Sequence, residues 1–315
     1  MNNHRMLKGA ALCLTASVAW GAMFPIAENA FVHVSPTYFS VIRYTLVSIL
    51  LLVLLWAKEG KSALRLEGRG KALWFYGTMA FTVYNLLVFW GQNQLGTSGV
   101  ILASVLEAQM PIISVLLFWI FKQRKPQPLT ICCMVTAFIG CFLVITKGDV
   151  NAFLLSGGGV LPVLLIFAGV AGWVVYTIGG HAFKDWSVLR YSALSCALGT
   201  ATSLAIVTVL TAFGAVSVPS LQAVFSVGFE LGFMVLIAGI AALICWNSGI
   251  KILTPINGIL FINFVPVTTF IISALQGYRI TVHDGIGTLL IVGALIANNL
   301  YQRKKAAGPA PGAAG

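Results

Sequence analysis

Hydrophobic residues fill ten long segments of the chain, and charged residues are largely confined to the stretches between them. A helix needs roughly 20 apolar residues to cross the hydrocarbon of a bilayer. These segments are too long and too uniformly apolar for barrel strands, and lipid-facing backbone must satisfy its own hydrogen bonds. The pattern therefore predicts an all-α integral membrane protein. The predicted spans are 7–29, 36–56, 73–91, 99–121, 129–146, 160–179, 188–213, 227–250, 255–275 and 284–301.

The second five segments repeat features of the first five. Segment 39–44 reads FSVIRY and segment 186–191 reads WSVLRY, which pairs an arginine of the second span with Arg190 of the seventh. Because five is odd, the second copy must cross the bilayer in the opposite direction. Inverted repeats are typical of secondary transporters that rock around a central site. We predict a first repeat over 1–150, an inverted repeat over 151–305, and a disordered tail over 306–315.

Composition and charge support a membrane location and fix an expected orientation. The chain is 59% hydrophobic and 9% charged, whereas about a quarter of the residues of a soluble globule are charged. The net charge of +11 does not indicate nucleic-acid binding, because the basic residues cluster in alternate loops. This positive-inside pattern predicts cytoplasmic termini in a bacterial inner membrane. Of the basic residues, Lys147 and Arg279 fall in loops predicted to be outside the cell, and Arg43 falls within a span. The basic residues predicted to be on the cytoplasmic side are Arg5, Lys8, Lys58, Lys61, Arg65, Arg69, Lys71, Lys122, Arg124, Lys125, Lys184, Arg190, Lys251, Arg303, Lys304 and Lys305.

Two further segments carry a family resemblance. Segments 95–98 (LGTS) and 253–255 (LTP), each followed by an apolar run to Pro111 or Pro266, resemble the fourth and ninth helices of EamA-type members of the drug/metabolite transporter superfamily. The resemblance implies two inverted halves around a central cavity lined by the first, third, fourth, sixth, eighth and ninth helices. The fifth and tenth helices would then serve as packing or dimer surfaces, in a monomer or a homodimer.

Within that superfamily, the chain is most similar to the YddG-type amino-acid exporters. The similarity rests on VAWG at 18–21, YN at 84–85 and GWVVY at 172–176. Met110 stands where an exporter of aromatic amino acids would be expected to carry an aromatic residue just before the proline. We therefore expect export of amino acids, aromatic ones not excluded, or of related small metabolites.

Charged residues inside the spans are candidates for the transport site. Glu107 lies about 12 Å deep at ~1.5 Å per residue, where a carboxyl group is costly and is by default a functional candidate. It could bind a substrate ammonium or carry a proton, or it could be a hydrogen-bonded group packed between helices. Arg43 is near enough to its span end to snorkel as an anchor, and could otherwise contact a substrate carboxylate. Glu28 is a possible partner of Arg43 across an outer gate.

Aromatic and amide side chains away from the span ends could form the walls of a substrate site. Core packing is the ordinary interpretation of each ring, and amides often only join neighbouring helices. As a group, with tryptophans at matching places in both halves, they suggest a site for a moderately apolar substrate. The substrate-binding candidates, Glu107 included, are Trp20, Tyr84, Asn85, Glu107, Met110, Trp173, Tyr176 and Asn247.

Three prolines within spans are candidate hinges, although a fixed bend is the common alternative. Pro25, Pro111 and Pro266 each remove a helix hydrogen bond and free a carbonyl. The gate or hinge candidates are thus Pro25, Glu28, Arg43, Pro111 and Pro266.

Other classes of function have less support in the sequence. A multidrug or cationic-compound antiporter is the nearest rival, but the glutamate of the first span comes at its end. An intramembrane enzyme needs aspartates or histidines at depth, and these residues lie near span ends, so no catalytic constellation can be assembled. Cysteines lie in apolar runs without a C-x-x-C pair, and we expect no metal or cofactor. A channel is a distant alternative.

Overall fold

The computed structural model describes residues 3–122, 127–149, 160–253 and 258–306, and the ten long segments in them are helical. The predicted disordered tail lies, but for its first residue, outside the described residues. The helices are α1 Asn3–Phe31, α2 Pro36–Glu59, α3 Gly70–Gln94, α4 in two pieces (Gly96–Glu107 and Met110–Lys122), α5 Pro128–Thr146, α6 Val160–Gly179, α7 Val188–Ala212, α8 Gly228–Leu253, α9 Phe264–Leu275 and α10 Val282–Ala306.

These helices form a multi-pass membrane fold of two inverted five-helix repeats, as predicted. Six of them are long and apolar enough to cross a bilayer, and the two pieces of α4 form a seventh, broken span. The remaining three, α5, α9 and α10, are shorter apolar helices. Short turns of 3₁₀ helix occur at Lys61–Leu64 and Gly180–Phe183, and a short helix, Leu221–Ser226, precedes α8.

The helix starts correct the register of the repeat. The Ser35 Oγ caps α2 by accepting from the Tyr38 amide at 3.4 Å, and the Ser187 Oγ caps α7 by accepting from the Arg190 amide at 2.9 Å. Counted from these caps, Arg190 matches Tyr38, and the counterpart of Arg43 is Ser195. Counted in this way, the two hexapeptides at 39–44 and 186–191 are out of register by five residues.

Helices α3 and α8, which occupy matching places in the two repeats, each contain one π-helical turn. These turns are Met79–Tyr84 and Leu236–Ala241. A π-turn widens the helix by one residue, offers carbonyl groups to partners outside the helix, and is often found at functional sites. No proline or glycine pattern in the sequence indicates these turns.

The fourth and ninth helices are both interrupted just before their interior prolines. The two pieces of α4 are bent by 51° at the break, and Pro111 lies in the first turn of the second piece. In the ninth segment a 3₁₀ stretch, Ile259–Asn263, gives way to α9, whose first turn contains Pro266. Proline is tolerated in a first turn because that amide has no helical acceptor. In contrast, α1 continues through Pro25.

Helices of opposite repeats pack against each other through small residues. A Cβ on Gly172 of α6 would lie 2.7 Å from the Met79 carbonyl oxygen of α3, so this contact requires glycine. The matching pair, α1 and α8, is in similar contact where Gly249 lies against Cys13. At the periphery, α5 and α10 contact each other through Gly140 and Gly287. The two halves are thus interleaved, and the centre lies between α1, α3, α6 and α8.

Candidate functional site

The centre of the molecule is marked by a contact between two matching tryptophans. The rings of Trp20 in α1 and Trp173 in α6 are 5.3 Å apart between centroids and edge to face. Residues related by a two-fold axis can touch only near that axis. The contact therefore places both tryptophans at the pseudo-two-fold axis between the repeats.

Further aromatic rings extend this contact into a continuous cluster. Trp246 of α8 lies 5.2 Å from Trp20, and Tyr84 of α3 lies 5.2 Å from Trp173. Tyr176 lies 5.3 Å from Trp173 and is stacked on Tyr191 at 5.1 Å. The structure thus brings together Trp20, Trp173, Tyr84 and Tyr176, four of the predicted substrate-binding residues; Trp246 and Tyr191 were not among them. Ring pairs of this kind add about 0.5–1.5 kcal/mol beyond area burial.

Glu107 lies beside this cluster, at the last residue before the bend in α4. Its side chain is 2% exposed, and the Tyr84 side chain is hydrogen-bonded to it. The second carboxyl oxygen, Oε2, has no protein partner. Arg43 is close enough to interact with the carboxyl group electrostatically. The bend places this carboxyl group at the centre of the bundle.

Arg43 does not snorkel to the membrane surface, contrary to the anchor interpretation. Its side chain is fully buried, Nε donates to the Met234 carbonyl oxygen at 3.0 Å, and Nη1 lies 3.4 Å from the Met23 sulfur. The guanidinium carbon lies 4.6 Å from the Tyr44 ring centroid, and Nη2 has no protein partner. Helices α1 and α8 cover this face of α2 and prevent the side chain from reaching water.

The proposed pairing of Arg43 with Glu28 is also wrong. Glu28 Oε2 accepts from Gln92 Nε2 at 3.4 Å, and Arg43 points to Met234 and Met23 instead. Glu28 and Pro25 line a separate cavity of about 380 Å³ at the far end of α1, which Tyr278 and Arg279 also line. The sequence could not distinguish these arrangements because Met234, which accepts from Arg43, belongs to the distant helix α8.

The remaining candidates occupy defined but different places. Asn247 Nδ2 donates to the Tyr176 hydroxyl at 3.2 Å and to Ser192 Oγ at 2.9 Å. Asn85 Nδ2 donates to the Ala80 carbonyl oxygen at 2.8 Å, inside the π-turn of α3. Met110 is buried and begins the second piece of α4. Amide side chains thus hold both tyrosine and backbone groups around the ring cluster.

Several buried polar atoms around the centre have no protein partner, which is unusual because buried polar groups are almost always hydrogen-bonded. Each such group costs about 1–3 kcal/mol in an interior. The side chains concerned come from α2, α3, α4, α6 and α8, and they include both donors and acceptors. The unpaired atoms are Arg43 Nη2, Asn85 Oδ1, Gln92 Oε1, Glu107 Oε2, Gln109 Nε2, Trp173 Nε1 and Trp246 Nε1.

A group of ion pairs that the sequence did not reveal joins the two repeats at one face. Arg69 binds Asp185 through two hydrogen bonds of 2.8 and 2.7 Å, and Arg190 binds Glu67 at 2.8 Å. The Trp186 indole N–H donates to Glu67 at 3.0 Å. We call these five residues, Glu67, Arg69, Asp185, Trp186 and Arg190, the clamp. The face of the molecule on which they lie also carries Lys61 and Arg65, and we call it the basic face. In the sequence, only the register of the repeat or a pairing of opposite charges between loops could have indicated these ion pairs.

The clamp carboxyl groups are perturbed by their partners. The hydrogen bond from Arg190 holds the pKa of Glu67 below its usual value, and that from Arg69 does the same for the pKa of Asp185. Next to the clamp, a cavity of about 260 Å³ is lined by Trp186, Tyr191 and Asn247 among others. Because Tyr191 both lines this cavity and is stacked on Tyr176, the cavity adjoins the ring cluster directly.

Two inverted five-helix repeats around a buried, partly unsatisfied polar centre define a multi-pass membrane transporter. The chain belongs to the EamA-like transporter family, whose model matches residues 7–146 and again residues 160–300. This confirms the superfamily predicted from the sequence, while the similarity to the YddG-type branch stays a prediction.

Individual relatives agree with the family match. The chain is 48% identical over 305 residues to the uncharacterized transporter YrdR of Bacillus subtilis strain 168, covering 97% of this chain and 95% of that protein. It is 28% identical over 299 residues to the uncharacterized transporter YyaM of the same organism, covering 93% and 94%. A crystal structure with 19% identity matches with a TM-score of 0.66 over 94% of this chain and 98% of the other, which shows the fold alone.

Proposed function

We propose that this transporter exports amino acids, or related small metabolites with both an ammonium and a carboxylate group, by alternating access across the cytoplasmic membrane. The observation that carries the proposal is a buried arginine and a buried carboxyl group at the centre, each with one unpaired atom. Glu107 Oε2 can accept from an ammonium group, and Arg43 Nη2 can donate to a carboxylate.

Arg43 and Glu107 each have an unpaired atom that the other does not satisfy. Arg43 is close enough to Glu107 to interact with it electrostatically, but within the described residues the two do not form an ion pair like those of the clamp. A zwitterion placed between them would satisfy both unpaired atoms. The rings of Tyr84 and Trp173 beside Glu107 offer apolar surface to the substrate side chain.

The alternative to amino-acid export is export of cationic compounds, and one observation favours it. A carboxyl group beside aromatic rings is a suitable environment for an organic cation. Arg43 argues against it, because a second positive charge at the same centre would repel a cation. A channel or an intramembrane enzyme has no comparable support.

The test is transport by the purified protein in liposomes against a panel of labelled amino acids. We expect saturable uptake and counterflow of at least one amino acid, with weak competition by its amino alcohol, which lacks the carboxylate, and by its des-amino acid, which lacks the ammonium. Glu107→Gln should weaken binding of the amino acid while Glu230→Gln, at the start of α8 and away from the centre, should not. Saturable transport of tetraphenylphosphonium with no amino acid transported would favour the cationic alternative and reject this proposal.

A further inference from the structure

The two tryptophans at the pseudo-two-fold axis differ in one respect. The Trp20 indole N–H donates to the Ala238 carbonyl oxygen at 3.0 Å. The Trp173 indole N–H is buried in the same cluster but has no protein acceptor. The sequence repeat alone predicts equivalent roles for the two residues, so the difference must come from their surroundings.

Carbonyl groups of the matching π-turn in α3 accept from side chains other than Trp173. Ala238 is the third residue of the π-turn in α8, and the third residue of the matching turn in α3 is Phe81. The Phe81 carbonyl oxygen accepts from Ser203 Oγ at 3.1 Å. The preceding carbonyl oxygen, that of Ala80, accepts from Asn85 Nδ2 at 2.8 Å.

The other repeat lacks both competing side chains. Counted from the caps of α2 and α7, Leu51 matches Ser203. Ala242 follows the π-turn of α8 directly, as Asn85 follows the π-turn of α3. Neither Leu51 nor Ala242 carries a hydrogen-bond donor on its side chain. The Ala238 carbonyl oxygen is therefore free for Trp20. Ser203 and Asn85 thus make the two repeats different here, and the Trp173 N–H is unpaired in the repeat whose π-turn carbonyls they use.

An unpaired buried N–H costs free energy unless a ligand uses it. We propose that the Trp173 indole N–H is a specificity-determining donor that binds a carboxylate oxygen of the substrate, while Trp20 is structural. This deepens the proposed function and rests on it. Trp246 Nε1 and Arg43 Nη2 are further unpaired donors around the same cluster. Donors of this kind match a carboxylate, which in its ionised form only accepts hydrogen bonds.

The test compares Trp173→Phe with its matched control, Trp20→Phe, in the full-length purified protein. Each variant keeps an aromatic ring and loses the indole N–H. Binding of labelled L-phenylalanine and L-leucine is measured at equilibrium, with phenylalaninol and leucinol as competitors without a carboxylate, and the melting temperature is recorded for each variant.

We expect Trp173→Phe to raise the dissociation constant of the amino acid about tenfold or more, to leave that of the amino alcohol unchanged, and to retain the melting temperature. Trp20→Phe should lower the melting temperature, because the Ala238 carbonyl loses its donor. Equal weakening of acid and alcohol, or an equal loss of melting temperature in both variants, would overturn the assignment of Trp173. If the wild-type protein binds neither amino acid but transports an organic cation, the proposed function itself is wrong.

Discussion

Glu107 is the residue for which we propose two roles, binding of a substrate ammonium and transfer of a proton. Its Oε2 atom has no protein partner, and Tyr84 is hydrogen-bonded to the carboxyl group. An unpaired carboxyl oxygen at the centre can receive a substrate ammonium or a proton, and a carrier that uses both would couple export to the proton gradient.

We predict that Glu107→Gln abolishes any dependence of transport on a pH gradient and preserves exchange of substrate at equal concentrations on both sides. Glutamine keeps the shape and the hydrogen bonding of the side chain but cannot exchange a proton at this position. Uptake into liposomes with and without an imposed pH gradient provides the measurement, with Glu230→Gln as the control. If the gradient response of Glu107→Gln equals that of the wild type, Glu107 does not carry the proton.

At the scale of elements, the breaks in α4 and α9 and the π-turns in α3 and α8 occur in matching pairs. Each break or turn frees backbone carbonyls, which is tolerated in a membrane protein only where they face protein or a cavity. In α3 and α8 the freed carbonyls accept from side chains of other helices, such as Ser203 and Trp20. The π-turns therefore provide hydrogen-bond acceptors that hold side chains in and around the ring cluster.

The clamp is the element-level feature with a defined pH dependence. Its carboxyl groups have lowered pKa values in the folded protein, so the clamp stabilises the fold above their unfolded values and weakens as the pH falls. We predict that the melting temperature falls between about pH 5 and pH 3. Differential scanning fluorimetry across this range provides the measurement.

The control for the clamp is a variant without its two carboxylates, Glu67→Gln with Asp185→Asn. It should melt at a lower temperature at pH 7 and lose less on acidification than the wild type does. The difference should also shrink at high salt, because the pairs are partly exposed and are screened. Identical pH profiles for the two proteins would show that the clamp contributes nothing measurable to stability.

At the scale of the whole molecule, orientation follows from charge. The loops of the basic face carry Lys61, Arg65 and Arg69, and cytoplasmic loops are enriched in such residues. We infer that the basic face, the clamp and both chain termini are cytoplasmic. In that orientation the cavity beside the clamp faces the source of an exported substrate.

We predict that cysteines placed at Ser62 and Gln276 react with a membrane-impermeant maleimide from opposite sides. Both positions are exposed, and the native cysteines would first be replaced so that only the new thiol reacts. In intact cells Gln276→Cys should be labelled directly, and Ser62→Cys only after permeabilisation. Labelling of both from the same side would contradict the orientation.

The sequence by itself determined the membrane class, the ten spans and the repeat. These features depend on local composition, because each segment must be apolar enough to lie in lipid whatever its neighbours are. It also identified Trp20, Trp173 and Glu107 as candidates, since a large ring or a carboxyl group deep in a span is unusual wherever it packs.

Only the tertiary structure decided how those residues are used. The hydrogen bond from Arg43 to Met234 and the ion pairs of the clamp join helices and loops that are far apart in the chain. The surroundings of Trp20 and Trp173 also differ through a distant helix, because Ser203 of α7 donates to the Phe81 carbonyl oxygen of α3. Hydrogen bonds between helices follow from three-dimensional proximity, which a single sequence does not encode locally.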